Sequence, residues 1–229
     1  MAIGIIGAMQ QEIDILKALI DVKECIKIMH VEFTVGTLHG KEVVLLESGI
    51  GKVNVAIATT LLFERFDISL VINTGSAGGI KLDAQVGDLV ISENVVYHDV
   101  DVTGFGRAMG EVPGMPAAFT SDARLVEQVE AVLAHADVRY FKGQIATGDA
   151  FVHRPEQLEQ VRANFADAVA LEMEAAAVAH VCHIAKVPFV VVRALSDIAG
   201  KQSELSFEAF LPLAAKASSA MVSEWVKVI

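Results

Sequence analysis

Short apolar runs alternate with amphipathic stretches along most of this chain. Nearly continuous apolar runs are typical of strands covered on both faces of a sheet. The sequence predicts strands at Ile3–Ala8, Ser69–Asn73, Gly87–Val96, Tyr140–Thr147, Val169–Leu171 and Val187–Leu195. Apolar positions that recur at helical spacing predict helices instead. These lie at Gln10–Ile20, Val53–Phe66, Ser121–Ala136 (capped by Ser121 or Asp122), Pro155–Asn164 and Glu174–Lys186, and in a C-terminal helix that ends near Lys227.

Turns and loops connect these elements. Glu32–Leu38 and Glu42–Ser48 flank His39-Gly40-Lys41 and predict a hairpin. The small-residue segment Thr74–Gly79 (TGSAGG) predicts a loop, and so does the segment 148–155. Alternating strands and helices predict an α/β fold, a three-layer α/β/α sandwich with a mixed central sheet, in a single domain spanning residues 1–229.

The segment His98–Ala118 is the one long irregular stretch. Loops longer than about 12–15 residues in compact domains are usually functional or linkers. This one carries apolar residues such as Val102, Phe105 and Pro113 rather than the polar residues of a linker. We therefore expect it to pack on a ligand or on another subunit.

Composition and charge narrow the class of protein. A hydrophobic content of 53% with 21% charged residues predicts a well-filled core. The net charge of −11 argues against binding to nucleic acid or to an anionic membrane. Cys25 and Cys182 have no pairing pattern, the N-terminus lacks the basic region of a signal peptide, and no apolar run reaches the ~20 residues of a membrane span. These features predict a cytoplasmic protein.

Three carboxylates are the strongest candidates for chemistry. Glu12, Glu174 and Asp197 each follow an apolar strand, and Arg193 precedes the last of them. Ligands of open parallel sheets bind beyond the carboxyl ends of the strands. Any one of these acids could instead serve only to begin a helix, because carboxylates favour the positive end of the helix dipole. Three acids at corresponding places in the topology favour a site.

Other motifs give weaker signals. The loops GIIGAM and TGSAGG follow strands but match neither dinucleotide nor P-loop fingerprints, so plain turns remain an alternative for both. Two groups contain residues that could ligate a metal, namely His98, Asp99 and Asp101, and His180, Cys182 and His183. The second group lies on one helix, where His180 and His183 form part of its polar stripe. We expect no metal site.

Several segments together carry a family resemblance: IGIIGAMQQEI, SGIGKVNVA, INTGSAGG, HDVDVTGFG, TGDAF, LEMEAAAVAHVC and VVVRALSDIA. Over essentially its whole length the chain resembles bacterial 5′-methylthioadenosine/S-adenosylhomocysteine nucleosidases, within the nucleoside phosphorylase superfamily. The resemblance implies cleavage of the N-glycosidic bond by water, with adenine as a product, no cofactor, and a role in methionine and adenine salvage. It also implies 5′-deoxyadenosine as a further substrate.

The resemblance assigns roles to individual residues. Asp197 would protonate the leaving adenine and Glu12 would activate the water, a division of labour similar to that of glycoside hydrolases. Glu174 would grip the ribose hydroxyls. The remaining residues expected to bind substrate are Met9, Ile50, Ser76, Ala77, Gly78, Phe151, Val152, Met173, Arg193, Ser196, Ala199 and Phe207. Val102, Phe105 and Pro113 match residues that a neighbouring subunit contributes, which implies a homodimer.

Alternatives remain within and outside the superfamily. A purine-nucleoside phosphorylase would need guanidinium groups for phosphate, whereas GAMQQEID and ESGIGKVN contain no Arg and offer Glu12 and Lys52. This contrast favours hydrolysis. A hydrolase for another adenosine derivative, such as 6-amino-6-deoxyfutalosine, would differ only in the alkylthio pocket. A nucleoside-binding dimer without activity is disfavoured because all three carboxylates are present.

Overall fold

Ten strands form one mixed sheet in the computed structural model, which describes residues 1–136, 138–199 and 203–229. The strands are β1 (Ala2–Gly7), β2 (Asp21–Ile28), β3 (Val31–Leu38), β4 (Lys41–Glu47), β5 (Ile68–Gly79), β6 (Leu89–Tyr97), β7 (Phe119–Thr120), β8 (Tyr140–Thr147), β9 (Ala168–Glu172) and β10 (Phe189–Ile198). The helices are α1 (Gln10–Leu19), α2 (Lys52–Arg65), α3 (Ala123–His135), α4 (Pro155–Asn164), α5 (Ala175–Ala185) and α6 (Ser203–Val228). Apart from small shifts at their ends and the greater length of β5, the predicted helices and strands are confirmed.

Helices cover both faces of the sheet, as predicted. Successive residues of β1 point to opposite faces, so that Ile6 packs in the core beneath α2 and α5, whereas Ile5 packs beneath α1, α3 and α6. The inward residues of α2 recur at helical spacing at Val55, Ala58, Thr59 and Leu62. The α/β fold with layers of helices around a mixed sheet is therefore confirmed.

The strand order gives β5 a central place. It pairs in parallel with β1 and with β10, and its last two residues pair with β9. In addition, β10 pairs with β6, β6 with β8, and β8 with β9. These four strands and β5 therefore close into a ring. This closure was not predicted. It brings the carboxyl-terminal ends of β5, β9 and β10 to one place.

Three local predictions are corrected or refined. Thr74–Gly79 is not a loop but the second half of β5, hydrogen-bonded to β10 and β9. Arg193, which was expected to bind substrate beyond the strand ends, lies inside β10, opposite Gly75 of β5. Asp122 rather than Ser121 caps α3, since its Oδ1 accepts the N–H groups of Arg124 at 3.0 Å and Leu125 at 3.3 Å.

The segment 98–118 is irregular, as predicted, apart from a short 3-10 helix at Thr103–Phe105. The hairpin of β3 and β4 is confirmed, with His39 and Gly40 at positive φ in a two-residue turn. Among the described residues, no α-helix has both the length and the apolar character needed to cross a bilayer.

Candidate active site

A cavity of about 400 Å³ opens at the carboxyl-terminal ends of β1, β5, β9 and β10. Most of the residues predicted to bind substrate line it: Met9, Glu12, Ile50, Ser76, Ala77, Gly78, Phe151, Met173, Glu174, Ser196, Asp197 and Phe207. A smaller adjoining cavity of about 30 Å³ is lined by the predicted Val152 and Ala199, and also by Phe151 and Asp197. The topology therefore brings together residues that are far apart in the sequence.

Glu12 lies in the first turn of α1 and is 1% exposed. Its Oε2 accepts the N–H groups of Ala8 at 2.9 Å and Met9 at 3.1 Å, and its Oε1 accepts the N–H and the hydroxyl of Ser76, both at 2.8 Å. The start of a helix is a favourable place for a negative charge. These four hydrogen bonds fix the carboxylate at the wall of the cavity.

Two glycines of β5 make room for functional side chains. A Cβ on Gly75, whose φ is +149°, would lie 2.5 Å from Nη1 of Arg193 and 2.7 Å from Oε1 of Glu12. A Cβ on Gly78 would lie 3.2 Å from Oδ2 of Asp197, which is opposite it in the sheet register. The small residues of TGSAGG thus serve close approach of side chains to a strand.

Asp197 is buried near the end of β10, and its Oδ1 accepts the hydroxyl of Ser196 at 3.0 Å. The pairing of β10 with β5 shifts register between Leu195 and Asp197. Such irregularities re-aim side chains and are frequent next to active sites. Asp197, from β10, and Glu12, from α1, line the same cavity, so they can act on one ligand.

Glu174, at the start of α5, is a third buried carboxylate in this cavity. Its Oε1 accepts the N–H of Gly51 at 2.8 Å, and its Oε2 lies 3.6 Å from Nη2 of Arg193. Burial raises the pKa of Glu174 to about 8, the negative charge of Glu172 adds to that increase, and Arg193 opposes it. Glu174 can therefore exchange a proton near neutral pH.

Arg193 does not line the cavity, although it was predicted to bind substrate. It is completely buried behind the cavity, where it donates to Oδ1 of Asn73 at 2.8 Å and to Oε2 of Glu172 at 2.5 Å. The geometry makes Arg193 a partner of the carboxylates rather than a wall of the site.

Aromatic side chains cover one end of the cavity. Phe151 is 38% exposed, and its ring packs edge-on against Phe207, with 5.8 Å between the ring centres. It also stacks on His153 at 6.3 Å. An exposed aromatic face next to Asp197 is suited to a planar heterocycle.

Val102, Phe105 and Pro113 do not line this cavity. Phe105 is 89% exposed on the short 3-10 helix, and Val102 and Pro113 lie on the same irregular segment. Phe105 and Pro113 are exposed and Val102 is half-buried, so at least two of these apolar side chains are available for a contact outside the protomer.

Lys52 is engaged in ion pairs at the edge of the site. Its Nζ lies 2.7 Å from Oδ2 of Asp99 and 3.5 Å from Oδ2 of Asp149, and the backbone N–H of Lys52 donates to Oδ1 of Asp149 at 3.0 Å. Burial raises the pKa of Asp99, but the hydrogen bonds from Lys52 and from the N–H of Asp149 outweigh it, so the net pKa is lowered. These contacts tie the start of α2 to the segment that carries Phe151.

Four residues of the cavity wall were not predicted, namely Ala8, Leu171, Glu172 and Glu208. Ala8 and Leu171 are small or apolar residues without a recognisable signal. Glu172 could have been found, because two acids flank Met173 at the start of a helix and a buried arginine follows in the next strand. Among the described residues, no group of three or more His, Cys, Asp or Glu side chains is placed to hold a metal ion.

Comparison with known proteins identifies close relatives. A family model described as the phosphorylase superfamily matches residues 2–227. The 5′-methylthioadenosine/S-adenosylhomocysteine nucleosidase of Anoxybacillus flavithermus is 56% identical over 223 residues, which cover 97% of this chain and 96% of the relative. The crystal structure of the nucleosidase of the same name from Neisseria meningitidis, in complex with methylthio-immucillin-A, matches with a TM-score of 0.98 at 43% identity and covers 100% of this chain and 99% of that one. Futalosine hydrolase of Helicobacter pylori matches with a TM-score of 0.95 at 34% identity, over 100% and 98% of the two chains.

Proposed function

We propose that this chain, as a member of the phosphorylase superfamily and, within it, of the 5′-methylthioadenosine/S-adenosylhomocysteine nucleosidases, hydrolyses an N-glycosidic bond. The substrates are 5′-methylthioadenosine and S-adenosylhomocysteine. The products are adenine and the 5-alkylthioribose, and 5′-deoxyadenosine is a further substrate. One observation carries the proposal: two buried carboxylates, Glu12 and Asp197, line one cavity together with the buried Glu172 and Glu174 and with mostly apolar side chains.

Asp197 acts as the general acid in this proposal. Adenine is a poor leaving group unless a ring nitrogen is protonated, and Asp197 lies in the adjoining small cavity next to Phe151, where the base would stack. The hydroxyl of Ser196 holds its Oδ1 in place. A positioned acid of this kind contributes about 10²–10⁴-fold to a rate.

Glu12 acts as the general base. The N–H groups of Ala8, Met9 and Ser76 fix the carboxylate, and when the rotatable hydroxyl of Ser76 turns away, the lone pair that it vacates on Oε1 takes the proton of the attacking water. The O–H bond of water breaks as its oxygen bonds to the anomeric carbon, and the bonding pair of the C–N bond leaves with the protonated adenine. The arrangement resembles that of inverting glycoside hydrolases, which place an acid and a base on opposite sides of the sugar.

The rest of the cavity binds the two ends of the substrate. Glu174 accepts hydrogen bonds from the ribose hydroxyls, with Met173 beside the sugar. Met9, Ile50 and Phe207 form an apolar wall for the alkylthio group. Phe151 covers the adenine, and the backbone of Val152 reads its edge.

The cations near the site support hydrolysis over phosphorolysis. A phosphate nucleophile would need free guanidinium or ammonium groups. Arg193 is held by Glu172 at 2.5 Å, and Lys52 is held by Asp99 at 2.7 Å. Glu12 would in addition repel an anion at the position from which the nucleophile attacks.

The protein acts as a homodimer in this proposal. Val102, Phe105 and Pro113 would complete the partner's alkylthio pocket, since they are apolar and lie away from the cavity of their own chain. Val53 is 70% exposed on α2 and adds to the apolar surface that a partner would cover. We further propose that the single domain 1–229 works in the cytoplasm, in methionine and adenine salvage.

A substrate panel tests the proposal. Adenine release is measured with methylthioadenosine, S-adenosylhomocysteine and 6-amino-6-deoxyfutalosine. The likeness to a futalosine hydrolase makes the third compound the specific alternative. We expect the two thio-nucleosides to have the higher kcat/KM. Turnover restricted to the futalosine derivative would replace the proposed substrate class.

A further inference from the structure

Glu172 is a buried carboxylate that the proposed mechanism does not use. It ends β9, and its side chain is 3% exposed. Its Oε2 accepts the N–H groups of Glu174 and Ala175, each at 2.8 Å, and Nη2 of Arg193 at 2.5 Å. Its Oε1 accepts the hydroxyl of Thr147. Three of these four partners, the two N–H groups and the guanidinium, can only donate, so they favour the ionised carboxylate.

Glu174, two residues later, has weaker partners. Among the described residues, its Oε1 accepts the N–H of Gly51 alone, and its Oε2 lies 3.6 Å from the guanidinium that Glu172 contacts at 2.5 Å. The described charged groups that act on its pKa are Glu172 from β9, Arg193 from β10 and Glu12 from α1, and Asp197 and Glu208 line the same cavity. Two buried carboxylates therefore share one guanidinium, and Glu172 holds the closer contact.

This sharing has an electrostatic consequence. Neighbouring like charges in a buried site cannot both ionise without cost, so the one with fewer donors keeps its proton. Burial, followed by the charge of Glu172, raises the pKa of Glu174 to about 8. In the empty site Glu174 is thus protonated at neutral pH.

We propose that Glu172 is a positioning residue for the nucleosidase reaction, because its fixed negative charge occupies Arg193 and leaves Glu174 to hold a proton until ribose hydroxyls replace it. The inference rests on the proposed function, since it assumes that the ligand presents a ribose to Glu174. Hydrogen bonds from the hydroxyls to an ionised carboxylate are about twice as strong as those to a neutral group. Binding therefore transfers the proton of Glu174 to solvent, and the sugar then reacts beside an anion.

The test counts the protons that are released on binding. The probe is a 7-deaza analogue of methylthioadenosine, which keeps both ribose hydroxyls but lacks the nitrogen that Asp197 would protonate. Isothermal titration calorimetry in buffers of different ionisation enthalpy gives the number released. With a pKa of about 8, we expect the wild-type protein to release roughly 0.9 proton at pH 7. The affinity of the protein for the analogue should increase by up to about tenfold for each unit by which the pH is raised, until the pH reaches about 8.

Glu172→Gln removes the charge but keeps the shape. The amide oxygen can still accept the N–H groups of Glu174 and Ala175, while Arg193 becomes free to pair with Glu174. We expect this variant to lose most of the proton release and the pH dependence of affinity. Glu172→Asp retains the charge and should restore both.

Thr147→Val is the matched structural control. It removes the hydroxyl that donates to Glu172 and accepts the N–H of Ala176 at 2.9 Å, but it changes no charge. We expect it to release protons like the wild type. Equal release by wild type and Glu172→Gln, loss of release in Thr147→Val, or no release by the wild type would each overturn the proposal. Hydrolysis of methylthioadenosine is assayed separately, so that analogue binding without turnover would refute the function while leaving the proton count intact.

Discussion

The Glu12→Gln substitution removes the proposed base while it keeps the shape of the side chain. In the wild-type protein each oxygen of Glu12 accepts two hydrogen bonds, from Ala8 and Met9 on one side and from the N–H and hydroxyl of Ser76 on the other. Glutamine offers one accepting oxygen and one donating NH₂ group. On one side of the side chain, the NH₂ group of glutamine therefore lies opposite groups that also donate hydrogen bonds.

The structure indicates on which side a hydrogen bond is lost. The hydroxyl of Ser76 can rotate and accept from the new NH₂ group, whereas the N–H groups of Ala8 and Met9 cannot. We therefore expect the amide oxygen to face Ala8 and Met9, and the buried N–H of Ser76 to lose its acceptor. An unsatisfied buried group costs about 1–3 kcal/mol, which lowers the Tm of a chain of this size by about 2–4 °C per kcal/mol.

The catalytic effect should be larger than the structural one. Loss of a general base lowers kcat by about 10²–10⁴-fold, which corresponds to about 3–5 kcal/mol in the activation barrier. Initial rates of adenine release at saturating methylthioadenosine give kcat, and calorimetry gives the Tm. Glu127→Gln, on an exposed face of α3, is the control that should change neither. If Glu12→Gln lowers the Tm but keeps kcat within about threefold of the wild-type value, Glu12 has a structural role and is not the general base.

The other predictions concern the acid, the subunit contact and Glu174. Asp197→Asn should lower kcat by about 10²–10⁴-fold, while the Kd of the 7-deaza analogue changes little. Near-normal turnover would refute the assignment of Asp197 as the general acid. Phe105→Ala should raise KM and leave the Tm unchanged, whereas the equally exposed Leu82→Ala should change neither value; unchanged kinetics for Phe105→Ala would remove the shared site. The folded protein binds a proton at Glu174 with a pKa raised from 4.5 to about 8, so its contribution to stability is present at low pH and lost as the pH rises through 8. The Tm of the ligand-free protein should thus fall between pH 4.5 and about pH 8 by a component that Glu174→Gln abolishes; an identical decrease in that variant would contradict the assignment.

The layered α/β fold could be predicted because its buried strands and amphipathic helices carry strong patterns. The strand β2 could not, since Asp21–Ile28 is an edge strand with mostly exposed residues on both faces. Hydrogen bonds to β3, rather than burial of an apolar face, hold β2 in the sheet. Edge strands of this kind lack the alternation on which a prediction depends.

The second half of β5 shows a different limit. Small residues in TGSAGG indicate a turn when only neighbours in sequence are considered. In the structure the same residues pair with β10 and β9, and their lack of bulk admits Glu12, Arg193 and Asp197. Tertiary pairing overrides the local propensity at the place where the site is built.

The candidate site itself was largely predictable, because the carboxylates and the walls of the cavity lie within recognisable motifs. The position of Arg193 was not, since its contact with Glu172 joins residues of two strands, β9 and β10, that are not paired with each other in the sheet. Sequence motifs indicate which residues gather at the strand ends, but they do not give the partner that each charge chooses.

The phosphate dependence of methylthioadenosine cleavage tests the central claim most directly. Purified protein is incubated with methylthioadenosine in phosphate-free buffer and again with excess phosphate, and both adenine and the sugar product are quantified. The account predicts equal rates of adenine release and free methylthioribose in both buffers, because water activated by Glu12 is the nucleophile. Release that requires phosphate and yields methylthioribose 1-phosphate would contradict it.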